Sequence, residues 1–404
     1  MSVTATALQS VAYAVAGAVA SYFAFVALLT VPFVQNQVIY LNNVTLTWFK
    51  DVNYPEQWGF LHNQVTPFHL RTGDGETLHA WHILPPGLWQ QHAEELIQEP
   101  AGLTPDITAR KSFELLRDDP DALLVLYFHG AAGTLGSGHR PPSYKAIYGM
   151  EPNRIHTVAI DYRGFGTSTG SPSEQGLKTD ALTLARWAMN EAKIPPERIV
   201  LFGQSLGTAV AVYMANHYAK LPEPVHFSGL VLVAPFADVE LLTATYRVAG
   251  TIPLLEPVAK FPKLLAYLNR FIRDKWPTKD RLAEFIRLHE EASSGSSGSP
   301  RPGYWVSILH GEDDYDIPWA HSEQLFWHAV NATEPAGISF EELEKEKPES
   351  RVDMGAGGWA VERRTARGLV KEQILKNGLH DRIMGYPAVS LAIYGAFHHG
   401  REPR

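Results

Sequence analysis

One serine in this chain stands where a serine can act as a nucleophile. In Arg198-Ile-Val-Leu-Phe-Gly203-Gln-Ser205-Leu-Gly207-Thr-Ala-Val-Ala, an apolar, β-branched run meets Gly-x-Ser-x-Gly, and a small-residue helical pattern follows. The two glycines permit a sharp turn from strand to helix, because no Cβ blocks the strained backbone values. The Ser205 hydroxyl is left at the turn tip, at a helix N-terminus whose dipole and free N–H groups favour developing negative charge. The chemistry open to such a serine is acyl transfer through a serine ester. A second Gly-x-Ser-x-Gly, Gly166-Thr-Ser168-Thr-Gly170, also follows an apolar run. Ser171-Pro172-Ser173 comes next, and the helical pattern resumes near Glu174, so this stretch reads as a surface loop.

A serine hydroxyl needs a base within hydrogen-bond reach and a carboxylate that holds the base. The expected order along the chain is serine, acid, histidine. After Ser205, the run Trp305 to His310 reads as a strand that ends in Gly311-Glu-Asp313-Asp314-Tyr-Asp316-Ile-Pro318. A carboxylate just past a strand's C-terminal end lies on the same rim as the elbow. Asp314 is the expected acid, Asp313 and Asp316 are the alternatives, and a solvated acidic loop is the plain reading. A calcium loop is poorly supported, since the glycine and distal glutamate of an EF-hand are missing.

For the base, Glu372-Gln-Ile-Leu-Lys-Asn-Gly378-Leu-His380-Asp381 reads as a strand, a glycine turn and a histidine on the loop beyond. His380 is the expected base. His310 and His321 precede this strand, and His398 and His399 lie past the last helical pattern. The oxyanion of an acyl transfer needs two backbone donors. They are expected from Leu206, just after the nucleophile, and from Ala131 in the loop His129-Gly130-Ala131-Ala132-Gly133. The plain reading of that loop is a tight turn. No metal and no cofactor are implied.

These residues need a frame. Pro67 to Leu84 reads as a hairpin turning at Gly73-Asp74-Gly75. Short apolar runs at Ala122 to Phe128, Ile155 to Ile160, Arg198 to Phe202, Leu230 to Val233 and Tyr304 to Leu309 then alternate with helical patterns. Such alternation predicts a largely parallel sheet covered on both faces. Residues 65–404 are read as one domain, with a polar insertion at Pro85 to Asp121, a helical cap over 238–291, a flexible Ser/Gly linker over 292–302 and an irregular charged insertion at Glu334 to Gly358.

The chain has 404 residues, no cysteine and a net charge of −8. Thiolate chemistry, disulfides and cysteine lipidation are excluded. No basic block interleaves with aromatics, so nucleic acid is not an expected partner. The first charged side chain is Lys50, and Val11 to Val34 is an almost unbroken apolar run. As a helix it would span about 36 Å, enough for a hydrocarbon core of about 30 Å. A signal peptide would want a basic start and a shorter core. Residues 8–34 are therefore read as a transmembrane anchor and 35–64 as a juxtamembrane segment. The positive-inside rule has almost nothing to count here. Asn43-Val-Thr45 and Asn331-Ala-Thr333 are glycosylation sequons that lean gently towards a luminal domain.

Residues from about Pro67 to Phe397 resemble the membrane-anchored α/β-hydrolase-domain serine hydrolases, most of all the lysophosphatidylserine lipase and monoacylglycerol lipase branch. The resemblance rests on Tyr127-Phe-His-Gly-Ala-Ala-Gly-Thr134, on Asp161-Tyr-Arg-Gly-Phe-Gly with Asp180-Ala181, and on Gly203-Gln-Ser-Leu-Gly-Thr208. The stretch Gly311 to Pro318 and the corner Gly378-x-His380-Asp381 add to it. It implies an α/β-hydrolase fold, with a mostly parallel central sheet, helices on both faces, a helical cap and one N-terminal transmembrane helix. It also implies esterase action on monoacyl lipids and a domain facing the endoplasmic reticulum lumen. Nucleophile, acid and base carry over to Ser205, Asp314 and His380. Relatives commonly have His before the nucleophile and Asn after His-Gly, where this chain has Gln204 and Ala131. A peptidase or protein deacylase using the same residues is the alternative chemistry, and a binding protein on the same fold is the non-catalytic one.

Overall fold

The computed structural model describes residues 3–248, 251–253, 255–291 and 303–399; the Ser/Gly linker read at 292–302 lies outside them. The strands of the main sheet are β1 (Val65–Arg71), β2 (Thr77–Ile83), β3 (Leu123–Phe128), β4 (Ile155–Ile160), β5 (Ile199–Gln204), β6 (Gly229–Val233), β7 (Tyr304–Gly311), β8 (Val352–Asp353), β9 (Trp359–Arg364) and β10 (Gly368–Leu375). They form one ten-stranded sheet in the order β1-β2-β4-β3-β5-β6-β7-β10-β9-β8. From β4 to β10 every neighbouring pair is parallel. The β1–β2 hairpin closes one edge in antiparallel register, and β9 and β8 close the other.

The parallel strands are short apolar runs because both their faces are covered. Leu124 and Leu126 of β3 pack in one core with Leu201 and Leu232, while Val125 and Tyr127 pack in a second core with Phe202 and Val233. Alternate side chains of each strand thus feed opposite cores. The first core is roofed by the helices Glu174–Arg186, Leu206–Ala219, Thr278–Glu291 and Ala320–Asn331, through Leu177, Ala209, Ile286 and Leu325 among others. The second is roofed by Arg140–Tyr148 and Pro387–His398, through Tyr144 and Ile393.

Three stretches differ from the sequence expectation. Glu334 to Gly358 is not irregular throughout. Ser339 caps a helix, Phe340–Ser350, in a reciprocal capping box with Glu342, and β8 begins the edge hairpin. Such a box satisfies two orphan helix donors. Of residues 238–291, the helix Thr278–Glu291 packs against Leu206–Ala219 and Ala320–Asn331 and is part of the helical roof. The shorter helices Val239–Thr245, Glu256–Ala259 and Pro262–Asn269 come between strand β6 and that helix in the chain.

The N-terminal run is two helices, Val3–Leu28 and Pro32–Tyr40. Pro32 opens the second one, where its missing N–H costs no hydrogen bond. Ala7–Leu28 is long and apolar enough to cross a membrane, and almost none of it is buried against the rest of the chain. The second helix and the strand of chain after it pack on the domain. Tyr40 is fully buried, its hydroxyl donates to Asp274 Oδ2 at 2.6 Å, and Gln35 Nε2 donates to the Phe271 carbonyl at 2.8 Å.

Candidate active site

Strand β5 is buried along its whole length and ends at Ser205, from which the helix Leu206–Ala219 starts. Ser205 has φ 52° and ψ −120°, a left-handed turn that a residue with a Cβ adopts at a cost of about 1–3 kcal/mol. The flanking glycines make that turn fit. A Cβ on Gly207 would sit 1.9 Å from the Phe128 carbonyl oxygen, and one on Gly203 would sit 2.4 Å from the Gly207 oxygen. Strand and helix therefore approach more closely than any side chain allows. Ser205 N–H donates to the Val233 carbonyl at 3.0 Å, which pins the turn to β6.

His380 lies on the one-turn helix Leu379–Arg382, just after Gly378. Its Nδ1 is 2.7 Å from Asp314 Oδ2. An ionised carboxylate only accepts, so Nδ1 carries the hydrogen and Nε2 is left as the acceptor. Asp314 Oδ1 accepts the amides of Asp316 and Ile317, each at 3.0 Å. Of the two alternative acids, Asp313 instead accepts the Leu379 amide at 2.8 Å and so holds the loop of His380, while Asp316 lines the cavity.

His310 is fully buried behind Asp314. Its Nε2 lies 3.1 Å from Asp314 Oδ2 and 2.9 Å from the Ile317 carbonyl, and its Nδ1 lies 2.7 Å from Ser322 Oγ. A carbonyl only accepts, so Nε2 carries the hydrogen and His310 is a donor to the carboxylate. Burial is the largest single influence on His380 and lowers its pKa, but the charge and hydrogen bond of Asp314 together with the charges of Asp381 and Asp316 outweigh it and raise the value to about 9. Asp314 moves the other way. Burial would raise it, yet the His380 charge and the two histidine hydrogen bonds hold it well below the ordinary carboxylate range. Asp314, Asp316 and His380 also bring one metal-ligand atom each within 4.8 Å of one another.

The loop after β3 faces Ser205. Its carbonyls are gripped by Arg140, a buried guanidinium that donates to Thr134 at 2.6 Å, Gly130 at 3.0 Å, Ala131 at 3.3 Å and Ala132 at 2.7 Å. The Ala132 amide donates to the Tyr40 carbonyl at 2.8 Å, and the Gly133 amide to Val44. Those amides are spent on the end of the second N-terminal helix and on the segment that follows it. The Leu206 amide is the first of its helix, where no intrahelical carbonyl is in reach. Sequence reasoning named Ala131 and Leu206, which both line the cavity, and passed over Arg140 and Tyr40. An arginine in a Gly/Ser-rich stretch reads as solvated, and a contact between residues about ninety positions apart leaves no periodic signal.

Ser205, Leu206, Ala131 and His380 all line one cavity of about 260 Å³. Its wall is mostly apolar: Val38, Ile39, Leu41, Phe236, Val239 and Leu242. Gln204, next to the serine, donates from Nε2 to the His380 carbonyl at 3.2 Å and to Asp381 Oδ1 at 3.3 Å. Ser168 is elsewhere. It is nearly buried, donates to the Asp161 carbonyl at 2.7 Å and accepts the His79 amide at 2.8 Å. Of the sequons, Asn43 is exposed on the segment after the N-terminal helices, and Asn331 ends a helix with its Oδ1 accepting the Ile338 amide at 2.7 Å.

Residues 124–326 match the family described as the alpha/beta hydrolase fold. The lysophosphatidylserine lipase ABHD12 of Danio rerio is 28% identical over 295 residues, 73% of this chain and 66% of that protein. Its counterpart in Xenopus tropicalis is 30% identical over 298 residues, 73% of this chain and 65% of that protein. The human protein ABHD12B is 29% identical over 299 residues, 74% of this chain and 70% of that one. The chain thus spans just under two thirds of the length of the fish and frog relatives. Among solved structures, an alpha-beta hydrolase from Vibrio vulnificus superposes with a TM-score of 0.52 at 16% identity, covering 89% of this chain and 93% of that one. That likeness concerns the fold alone.

Proposed function

The chain belongs to the α/β hydrolase family, and on that premise we propose that it is a membrane-anchored serine hydrolase that cleaves the acyl ester of monoacyl lipids. The observation that carries the reading is the strained Ser205 in one cavity with His380, whose Nδ1 lies 2.7 Å from Asp314. In this reading His380 Nε2 takes the Ser205 proton as Oγ attacks the ester carbonyl. The amides of Leu206 and Ala131 hold the oxyanion, and the imidazolium formed is stabilised by Asp314. Collapse breaks the bond to the alcohol, which leaves with the proton from His380. Water then attacks the acyl-enzyme by the same proton path in reverse, releasing the fatty acid and restoring Ser205.

Three features support a lipid substrate. The cavity wall is apolar, the relatives named above are called lysophosphatidylserine lipases, and Ala7–Leu28 can cross a bilayer where such substrates reside. The glycosylation sequon at the exposed Asn43 and the family resemblance favour a luminal domain in the endoplasmic reticulum. Loss of a size shift on glycosidase treatment of Asn43→Gln tests that orientation. The reaction is tested by fluorophosphonate labelling of membranes carrying wild type and Ser205→Ala, followed by a panel of lysophospholipids and monoacylglycerols. Labelling and ester turnover lost only in Ser205→Ala are expected. Turnover retained in that variant would sink the assignment.

A further inference from the structure

A second apolar cavity, of about 60 Å³, adjoins the site. The two share Val38, Ile39, Val239 and Thr243 as lining. Beyond that shared wall the second chamber is lined by Leu255, Leu268 and Ile272 of the cap region, by Val26 in the last turn of the first helix and by Leu29 and Thr30 just past it. Three of its four polar lining side chains are already committed. Gln35 bonds the Phe271 carbonyl at 2.8 Å and the Arg273 amide at 3.1 Å, Thr30 bonds the Ala27 carbonyl at 2.7 Å, and Thr243 bonds the Glu240 carbonyl at 2.8 Å. The chamber thus offers hydrocarbon contact and few free polar groups, which suits an acyl chain and not a head group.

We infer that this chamber holds the distal part of a long acyl chain whose ester lies at Ser205, so that the end of the N-terminal helix forms one wall of the substrate site. The inference rests on the ester-hydrolase reading above and adds where the chain goes. Its occupant is a single hydrocarbon tail that runs from Ser205 past Val239 and Leu242, between Ile39 and Thr243, towards Leu268. The helix that would hold the protein in the bilayer is then also a specificity element. Val26 stands in the last turn of the apolar stretch that can cross a membrane, and Leu29 just past it.

Leu268 lines the second chamber and not the first, and it is only partly buried. Leu268→Trp therefore fills the far chamber without touching the reacting groups. The test uses the full-length protein in detergent micelles, with monoacylglycerols of eight and of eighteen carbons in the acyl chain. Each methylene displaced should cost about fourfold in kcat/KM, so Leu268→Trp should lose on the order of 100-fold on the long ester. It should keep its rate on the short ester and its labelling by a small fluorophosphonate. Leu268→Ala, which only enlarges the chamber, should move the preference towards longer chains and covers the case in which the tryptophan variant does not fold. If both variants change the two esters in parallel, or change neither, the chamber does not hold the tail. If wild type neither labels nor cleaves any ester, the hydrolase reading falls first, and this inference with it.

Discussion

The guanidinium of Arg140 donates to the Gly130 carbonyl at 3.0 Å, and that bond sets the direction of the next amide, Ala131. A trans peptide unit is planar, so its C=O and N–H point in opposite directions. Holding the Gly130 oxygen on the Arg140 side turns the Ala131 N–H away from it. The neighbouring peptide units are fixed as well, by Arg140 on their carbonyls and by Tyr40 and Val44 on the amides of Ala132 and Gly133. A loop of small residues, which has little side-chain packing of its own, is thereby held rigid from two sides.

Arg140→Met should therefore cost catalysis through geometry. It leaves several buried carbonyls without a donor and frees the loop. A loss approaching that of one oxyanion donor, about 100-fold or more in kcat with little change in KM, is expected. Steady-state kinetics on a soluble ester measures it. Since Lys offers donors but no planar fork, Arg140→Lys should recover only part of the rate. A variant that loses substrate binding and keeps kcat would show that Arg140 acts on the substrate instead.

The acid–base pair predicts a pH profile. In the proposed mechanism His380 must be neutral to accept the Ser205 proton, and the carboxylates around it, Asp314 foremost, raise its pKa to about 9. The acid limb of kcat/KM should lie above the ordinary histidine value of 6.5, towards 9, and fit one proton. Asp314→Asn removes the charge, so the limb should move to lower pH while the rate falls by about 10⁴-fold. The stability contribution has its own sign. With the folded pKa above the unfolded one, the contribution of His380 is complete below about 6.5 and is lost as pH rises through about 9. Asp314 is depressed, so its contribution holds above its ordinary value and is lost on acidification. Unfolding midpoints of wild type and Asp314→Asn across pH check both directions.

The two Gly-x-Ser-x-Gly serines should separate cleanly. Ser168→Ala deletes a buried donor to Asp161 and an acceptor for His79. It should destabilise the fold by about 1–3 kcal/mol and leave turnover per folded molecule unchanged. Ser205→Ala should do the reverse, since it removes a hydroxyl in the cavity while keeping the Cβ at the turn and leaving the cores untouched. Thermal melts and active-site labelling on the same samples distinguish the two patterns. A Ser168→Ala protein that folds and fails to label would overturn the choice of Ser205.

What the sequence made legible follows from the range of each signal. Ser205, Asp314 and His380 each stand at a strand end followed by a turn, a local pattern, and the strands carry apolar runs that any parallel sheet requires. Arg140 grips a nearby loop through its guanidinium and Tyr40 reaches the same loop from far along the chain through its carbonyl, and neither leaves a trace in composition or spacing. Strand β9, Trp-Ala-Val-Glu-Arg-Arg, gives no apolar run because β8 covers its outer side only at Trp359 and Ala360, and the half beyond carries charge. The apolar run Val11 to Val34 reads as one helix because it continues across Pro32, whereas the structure uses Pro32 to start a second.

Gln204, the residue before Ser205, is held between two loops of the site. Its Nε2 bridges to the His380 carbonyl and to Asp381, and its Oε1 lies against Gly130, where an added Cβ would be 2.3 Å away. The amide thus sits between the loop that carries Ala131 and the loop that carries His380. Gln204→Ala should loosen the histidine loop and lower kcat by about 2- to 10-fold, the worth of one or two hydrogen bonds. Gly130→Ala should push the Gln204 amide off the same bonds. It should also crowd the Ser205 Cβ, 3.1 Å from the new methyl group. Because both single changes break the same bridge, the double variant should lose less than the sum of the two, with a coupling of about 1 kcal/mol. A double-mutant cycle on kcat reads this directly. Strict additivity would mean that Gln204 and Gly130 act independently and that the bridge to His380 does not position the base.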